Sequence, residues 1–227
     1  MRDAKASSSA RGAHPAWPPE RQTTQSRHDG PIAPNRLAER AAPPTRPDEV
    51  WAVDMTYIET AEGWLFLAIV LDLHSRKVVG RAFAESLHTA LPLAALQMAL
   101  AQRRPAPGLL HHSDRGCQYA SAQYRSLLQA HGLEASMSRT GNPYDNAAME
   151  RLPGTAVPAL RAACGRLSRS ARFFSTLKTE CLHRHSPATR RETQAITFDY
   201  IESFYNRVRL HSALGYQSPV DFENSHH

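Results

Sequence analysis

The 227 residues include 27 Lys and Arg against 21 Asp and Glu, a net charge of +6, with 41% hydrophobic and 21% charged residues; this suits one packed domain and excludes a wholly disordered chain. The longest apolar run, Trp64 to Leu71, is eight residues, well short of the ~20 that span a bilayer, and Arg2, Lys5 and Arg11 lie in an N-terminus with no apolar stretch, which argues against a membrane span or a secretory leader. Cys117, Cys164 and Cys181 lack zinc-ribbon spacing, so reduced thiols in a cytoplasmic protein are expected.

Residues 1–47 are rich in Pro, Ser, Ala and Arg without apolar periodicity and read as an extended or disordered arm. Order is expected to begin at Val50. Val50 to Ile58 predicts a first strand, Glu62-Gly63 a turn, Trp64 to Asp72 a second strand apolar on both faces, and Lys77 to Phe83 a third. A helix is predicted from near Thr89 through Leu93, Leu96 and Leu100, then a short strand ending at His111-His112-Ser113-Asp114. Ser121 reads as the N-cap of a helix through Tyr124 and Leu128, with Gly132 just past its end. Leu133 to Met137 predicts a fifth strand. Asn142-Pro143-Tyr144-Asp145 reads as the start of a helix carrying Glu150. A last helix is predicted from Thr189, with Glu192 three residues on, through Ile196, Tyr200, Ile201, Phe204 and Tyr205. This order implies an α/β fold with a five-stranded sheet flanked by helices.

Three acids stand out. Asp54 sits inside a strand between Val53 and Met55, where a carboxylate is costly unless paired or bound to a cation. Asp114 follows an apolar strand and precedes Arg115-Gly116, at a strand's carboxyl end, where open α/β sheets bind ligands. Glu150 follows after 35 intervening residues. Singly, each acid is commonly a cap or surface group; together they suggest a catalytic set.

The chain resembles the transposases with a retroviral-integrase-like catalytic core, in particular the second-reading-frame protein of IS-three-like insertion sequences. The resemblance runs through Asp54-Met55-Thr56-Tyr57, Leu71-Asp72-Leu73-His74-Ser75-Arg76, His112-Ser113-Asp114-Arg115-Gly116, Gly141-Asn142-Pro143-Tyr144-Asp145-Asn146-Ala147 and Tyr205-Asn206-Arg207-Val208-Arg209-Leu210-His211. It implies a ribonuclease-H-like fold with a mixed sheet in which the first and fourth strands are neighbours. It also implies a core over 48–223, ending in a helical tail at 189–223. The implied activity is cleavage of DNA and transfer of the freed 3′-hydroxyl to target DNA. Asp54, Asp114 and Glu150 would hold two Mg²⁺ ions, Asp54 bridging them and Mn²⁺ serving as substitute. The implied partners are DNA, further copies of the chain in a synaptic complex, and an upstream-frame helix-turn-helix protein. The expected location is the cytoplasm, with the nucleoid when DNA is bound.

The resemblance further assigns Lys178 to the DNA end and Arg207, Arg209 and His211 to DNA contacts, with His112 and Asn146 supporting the acids. In the family a basic residue follows the catalytic Glu by seven positions, whereas Lys178 follows Glu150 by 28. Residues 151–171, which contain Pro153, Gly154 and Pro158, therefore read as an insertion that loops out. Were they helical, Glu150 and Lys178 would stand ~42 Å apart instead of ~10 Å. Similarity to the family begins only around Gln25, so the chain reads as truncated at its N-terminus. A catalytically impaired remnant that binds DNA or partner transposase, and a nuclease of the same fold, are the alternatives.

Overall fold

β-Branched and aromatic residues draw Val50–Thr60 (β1), Gly63–Asp72 (β2) and Val78–Ala84 (β3) into an antiparallel meander in the computed structural model, which describes residues 28–138, 169–185 and 188–225. Leu110–Ser113 (β4) and Glu134–Met137 (β5) extend the sheet on the other side of β1, both pairings being parallel. The strand order is β3-β2-β1-β4-β5, a five-stranded mixed sheet with β1 at its centre.

The sheet is buried on both faces, which accounts for the unbroken apolar run of β2. On one face Trp51, Val53, Phe66, Ala68 and Val70 meet Leu93, Leu96, Tyr124 and Leu128. These last four come from the helices Ala90–Arg103 (α2) and Ala122–Ala130 (α4), with the single turn Cys117–Ala120 (α3) between them. On the other face Val50, Ala52, Leu65, Leu67 and Ile69 pack on Phe173, Leu177, Ile201 and Tyr205. That layer is built by Arg169–Leu177 (α5), which continues through a π-helical turn at Lys178–Leu182, and by Arg190–Asp199 (α6), which continues as π-helix at Tyr200–Tyr205. No helix among the described residues is long and apolar enough to cross a membrane.

The local signals act as their chemistry suggests. Ser121 Oγ accepts from Tyr124 N at 3.3 Å, and Gly132 takes φ +65° just beyond α4. Thr189 Oγ1 accepts from Glu192 N at 3.1 Å, while the Glu192 carboxylate reaches back to Ala188 N at 3.0 Å. Gly80 marks where α2 crosses β3: a Cβ there would lie 2.3 Å from Ala95 O and 2.8 Å from Ala99 Cβ. Because one of those neighbours is helix backbone, Gly80→Ala is expected to destabilise the fold by about 3 kcal/mol, at the upper end of overpacking costs. Urea unfolding should show a lower midpoint at unchanged slope.

Order begins earlier than Val50. Arg36–Glu39 forms a short helix (α1), capped by Asn35, whose Oδ1 accepts from Ala38 N at 3.1 Å. Leu37 is buried, and its N–H donates to Ser136 Oγ at 3.2 Å, while Pro34 O accepts from Met137 N. One buried leucine and a few hydrogen bonds anchor this stretch along β5, and neither produces a periodic pattern. At the other end Pro219–Ser225 (α7) is tied to the sheet layer by Glu223, which receives Lys77 at 2.9 Å and both Nη atoms of Arg103 at 2.9 and 3.0 Å.

Candidate active site

Asp54 lies midway along β1 on the face turned toward α5. Its Oδ1 accepts from Met55 N at 2.8 Å, and the Ser170 hydroxyl, from the first turn of α5, bonds the same carboxylate. Burial pushes the Asp54 pKa up, the charge of Asp114 pushes it further, and the two hydrogen bonds oppose them, leaving it at about 7. Asp114 stands one residue past β4. The parallel register pairs Trp51 with His111 and Ala52 with His112; continued for two residues, it sets Asp54 beside Asp114. Gly116 N donates to Asp114 Oδ1 at 2.8 Å. A Cβ on Gly116 would come within 3.0 Å of that oxygen and 2.9 Å of Gln118 Oε1, so any side chain there would have to push the Asp114 carboxylate or Gln118 aside.

Tyr119 is a site residue that sequence reasoning missed. It is 1% exposed, its ring meets Tyr124 edge-on at 5.4 Å, and its hydroxyl has no hydrogen-bond partner among the described residues. Burial, with the charges of Asp114, Tyr124 and Asp54, raises its pKa well above the usual phenol value, so it remains a proton donor near both aspartates. Its place five residues after Asp114 and Ser170's late position in the chain offered no chemical pattern to find them by. His112 sits two residues before Asp114 on β4, with Nδ1 2.9 Å from Ser136 Oγ and burial lowering its pKa to about 4. His111 pairs with the Tyr124 hydroxyl at 2.9 Å, a packing role.

The donor set fits a hard divalent cation. The charge of Asp114 on the adjacent strand raises the protonation of Asp54, and a cation between the two carboxylates would relieve both the repulsion and the burial cost. Among the described residues no cluster of three His, Cys, Asp or Glu completes such a site. Glu150 and Asn146, the motif at 141–147 and residues 151–168 of the expected insertion lie outside the described residues.

Lys178 opens the π-helical turn after α5, with Nζ 4.9 Å from the centre of the Tyr57 ring. Seven positions before it, one residue after Ser170, stands Ala171, exposed on α5. The tail residues do not join the aspartates. Arg209 is held by Glu180, Nη2 to Oε1 at 2.7 Å and Nε to Oε2 at 2.9 Å. Tyr200 donates to the same carboxylate at 2.8 Å, so Glu180 is committed as a structural partner. Arg207 is exposed, and His211 is buried on the wall of a separate cavity.

Two family profiles match the chain, each described as integrase core domain, one over residues 44–143 and the other over 171–226. They leave 144–170 unmatched between them. The chain is 42% identical over 207 residues to the insertion element IS600 uncharacterized 31 kDa protein of Shigella sonnei, covering 91% of this chain and 68% of that protein. It is 40% identical over 197 residues to transposase InsF of insertion sequence IS3A from Escherichia coli K12, covering 87% of this chain and 61% of the relative. The chain thus spans roughly two thirds of these relatives' length. Among solved structures, the catalytic core domain of HTLV-2 integrase in complex with magnesium superposes with a TM-score of 0.56 at 11% identity, covering 79% of this chain and 98% of that domain. The fold is that of the retroviral integrase cores, ribonuclease-H-like.

Proposed function

We propose that this chain, which belongs to the integrase-core family of insertion-sequence transposases, is the catalytic core of a polynucleotidyl transferase that cleaves DNA at a mobile element's ends and joins the freed 3′-hydroxyl to target DNA. The observation that carries this reading is the juxtaposition of Asp54 and Asp114 across the parallel β1–β4 pair.

Asp54 and Asp114, with Glu150 as third acid, are the residues that would hold divalent metal, two Mg²⁺ ions with Mn²⁺ able to replace them. When bound, such ions activate the attacking oxygen and neutralise charge on the leaving oxygen of an in-line displacement. The chain's own residues prepare the site. Gly116 N fixes one oxygen of Asp114, Met55 N and Ser170 Oγ orient Asp54, and the Tyr119 hydroxyl supplies a buried donor beside them. His112 and Asn146 support this set. In the metal-free protein Asp54 keeps its proton up to about pH 7, so binding of a divalent cation should displace that proton and tighten as pH rises. Lys178 would contact the DNA end, and Arg207, exposed, would offer its charge to the backbone. The working form is an oligomer on DNA, assisted by the upstream-frame helix-turn-helix protein.

The test is cleavage and strand transfer on duplexes carrying the element's own ends, with the upstream DNA-binding regions supplied. Mg²⁺-dependent joined product is the expected result. Hydrolysis without joining would instead identify a nuclease.

A further inference from the structure

The motif Leu71-Asp72-Leu73-His74-Ser75-Arg76 has a structural use unconnected with the aspartates. Asp72 is fully buried and accepts from Ser75 N at 2.8 Å, His74 N at 2.9 Å, Ser75 Oγ at 3.1 Å and Asp48 N at 2.8 Å. These bonds build the β2–β3 turn and hold Arg76 at φ +62°, its N–H bonded to Asp72 O at 2.9 Å. The turn is therefore a rigid mount for one guanidinium.

That guanidinium lines a 320 Å³ cavity walled by the turn, α5 and the segment following α6, with Arg172, Tyr205, Arg209, His211 and Ser212 around it. Arg209 is neutralised by Glu180. Arg76 has no ion pair or side-chain hydrogen bond among the described residues. Burial draws its pKa below the usual value, against the pull of Tyr205, and Arg172 adds like charge. His211 lies 7% exposed, with Nδ1 3.5 Å from Arg209 Nη1 and Nε2 without a partner. Because an arginine only donates, Nδ1 accepts there, and the proton of the neutral ring sits on Nε2. Two uncompensated guanidinium groups and an unused N–H thus converge on one cavity. For Arg76, partly buried charge without a counterion is costly and an anion would relieve it, while Arg172, exposed beside it, adds a second set of donors.

We infer that this cavity binds one phosphate group of a DNA strand, held chiefly by Arg76 and Arg172, on the opposite flank of α5 from the aspartates. Phosphate is the anion whose several oxygens satisfy forked guanidinium donors from two directions. The anion site stands on the cavity alone; the choice of DNA as its source rests on the transposase reading. Such a contact fixes the path of the backbone beyond the cleavage site without reading its sequence.

The test uses the full chain without metal, as wild type, Arg76→Asn, which keeps the left-handed turn accessible, and Arg172→Gln, an exposed position. Duplex binding is followed by anisotropy over a salt series. Each variant should bind about five- to tenfold more weakly at moderate salt, with the salt slope reduced by about one. Arg76→Asn should keep or raise the melting temperature, since it removes an uncompensated charge, and inorganic phosphate should raise the melting temperature of wild type but not of this variant. If wild type binds DNA and both variants retain its affinity and slope, the inference fails while the transposase reading survives. A large fall in melting temperature for Arg76→Asn, with Arg172→Gln unchanged in binding, would make Arg76 a packing residue and also overturn it. If wild type ignores DNA yet phosphate stabilises it through Arg76, the anion site stands and its assigned source falls with the transposase reading.

Discussion

Asp54→Asn is expected to lower strand cleavage by at least about a hundredfold, to leave DNA binding intact, and to make the metal-free protein more stable at neutral pH. The first effect follows from removing a carboxylate at the proposed reaction centre while the basic surface is untouched. The second follows from its protonation. Folded, Asp54 keeps its proton up to about pH 7, whereas the unfolded chain gives it up near 3.8. Between those values the folded state binds the extra proton, so the stability of the metal-free fold declines as pH rises through this window. An amide is neutral throughout and can accept from Met55 N and Ser170 Oγ in the same way. Melting curves between pH 5 and 8 (about the range in which folded carboxyls of this kind titrate) should slope downward for wild type and be flatter for the variant. A variant that lost stability at every pH would show Asp54 to be a structural acid, and retention of cleavage would remove it from the proposed chemistry altogether.

Ala171→Glu is expected to raise strand transfer by about tenfold or more, the scale on which a better-placed ligand changes rate. Ser170 reaches Asp54, and the next residue, Ala171, is exposed seven positions before Lys178. Seven positions is two helical turns, so residues 171 and 178 share one flank of α5 and its continuation. A glutamate at 171 would stand where the family spacing asks for one. Deleting 151–171 joins Glu150 directly to Arg172 and restores the same spacing, so it should act in the same direction. Glu150→Gln should then abolish activity in the deletion protein but matter little once Ala171→Glu is present. No gain from either change would mean that Glu150 already serves from its own position and that the intervening segment is accommodated.

The strands were legible because burial on one or both faces imprints directly on sequence: the run from Trp64 is apolar throughout since β2 faces helices on both sides. The cap at Thr189 and the glycine after α4 were legible because single residue types do that work. Three features were not. Leu37 anchors the segment before β1 by itself, and one residue has no period. The partner of Arg209 is Glu180, 29 residues earlier, so an arginine that the resemblance assigns to DNA is held in an internal ion pair that no local pattern announces. Asp72 sits in a family motif yet serves the turn that carries Arg76, and a motif alone does not separate an acid that organises backbone from one that meets substrate. Asp54 drew notice because an acid inside a strand is expensive and Asp114 because it stands at a strand's carboxyl end, whereas Tyr119 and Ser170 carry no such mark in sequence.

Each outer strand of the sheet has one backbone position claimed by a group from elsewhere in the chain. On β3, the Asn206 side chain accepts from Val78 N at 3.0 Å and donates to Val78 O at 3.1 Å, copying a neighbouring strand with a single amide. On β5, Pro34 O takes the Met137 N–H. At these two positions the edges offer no free backbone group to a second copy, so strand addition could not register on Val78 or on Met137 N. A product terminated ahead of α6 would lose Asn206 and free both backbone groups of Val78 at the start of the β3 edge.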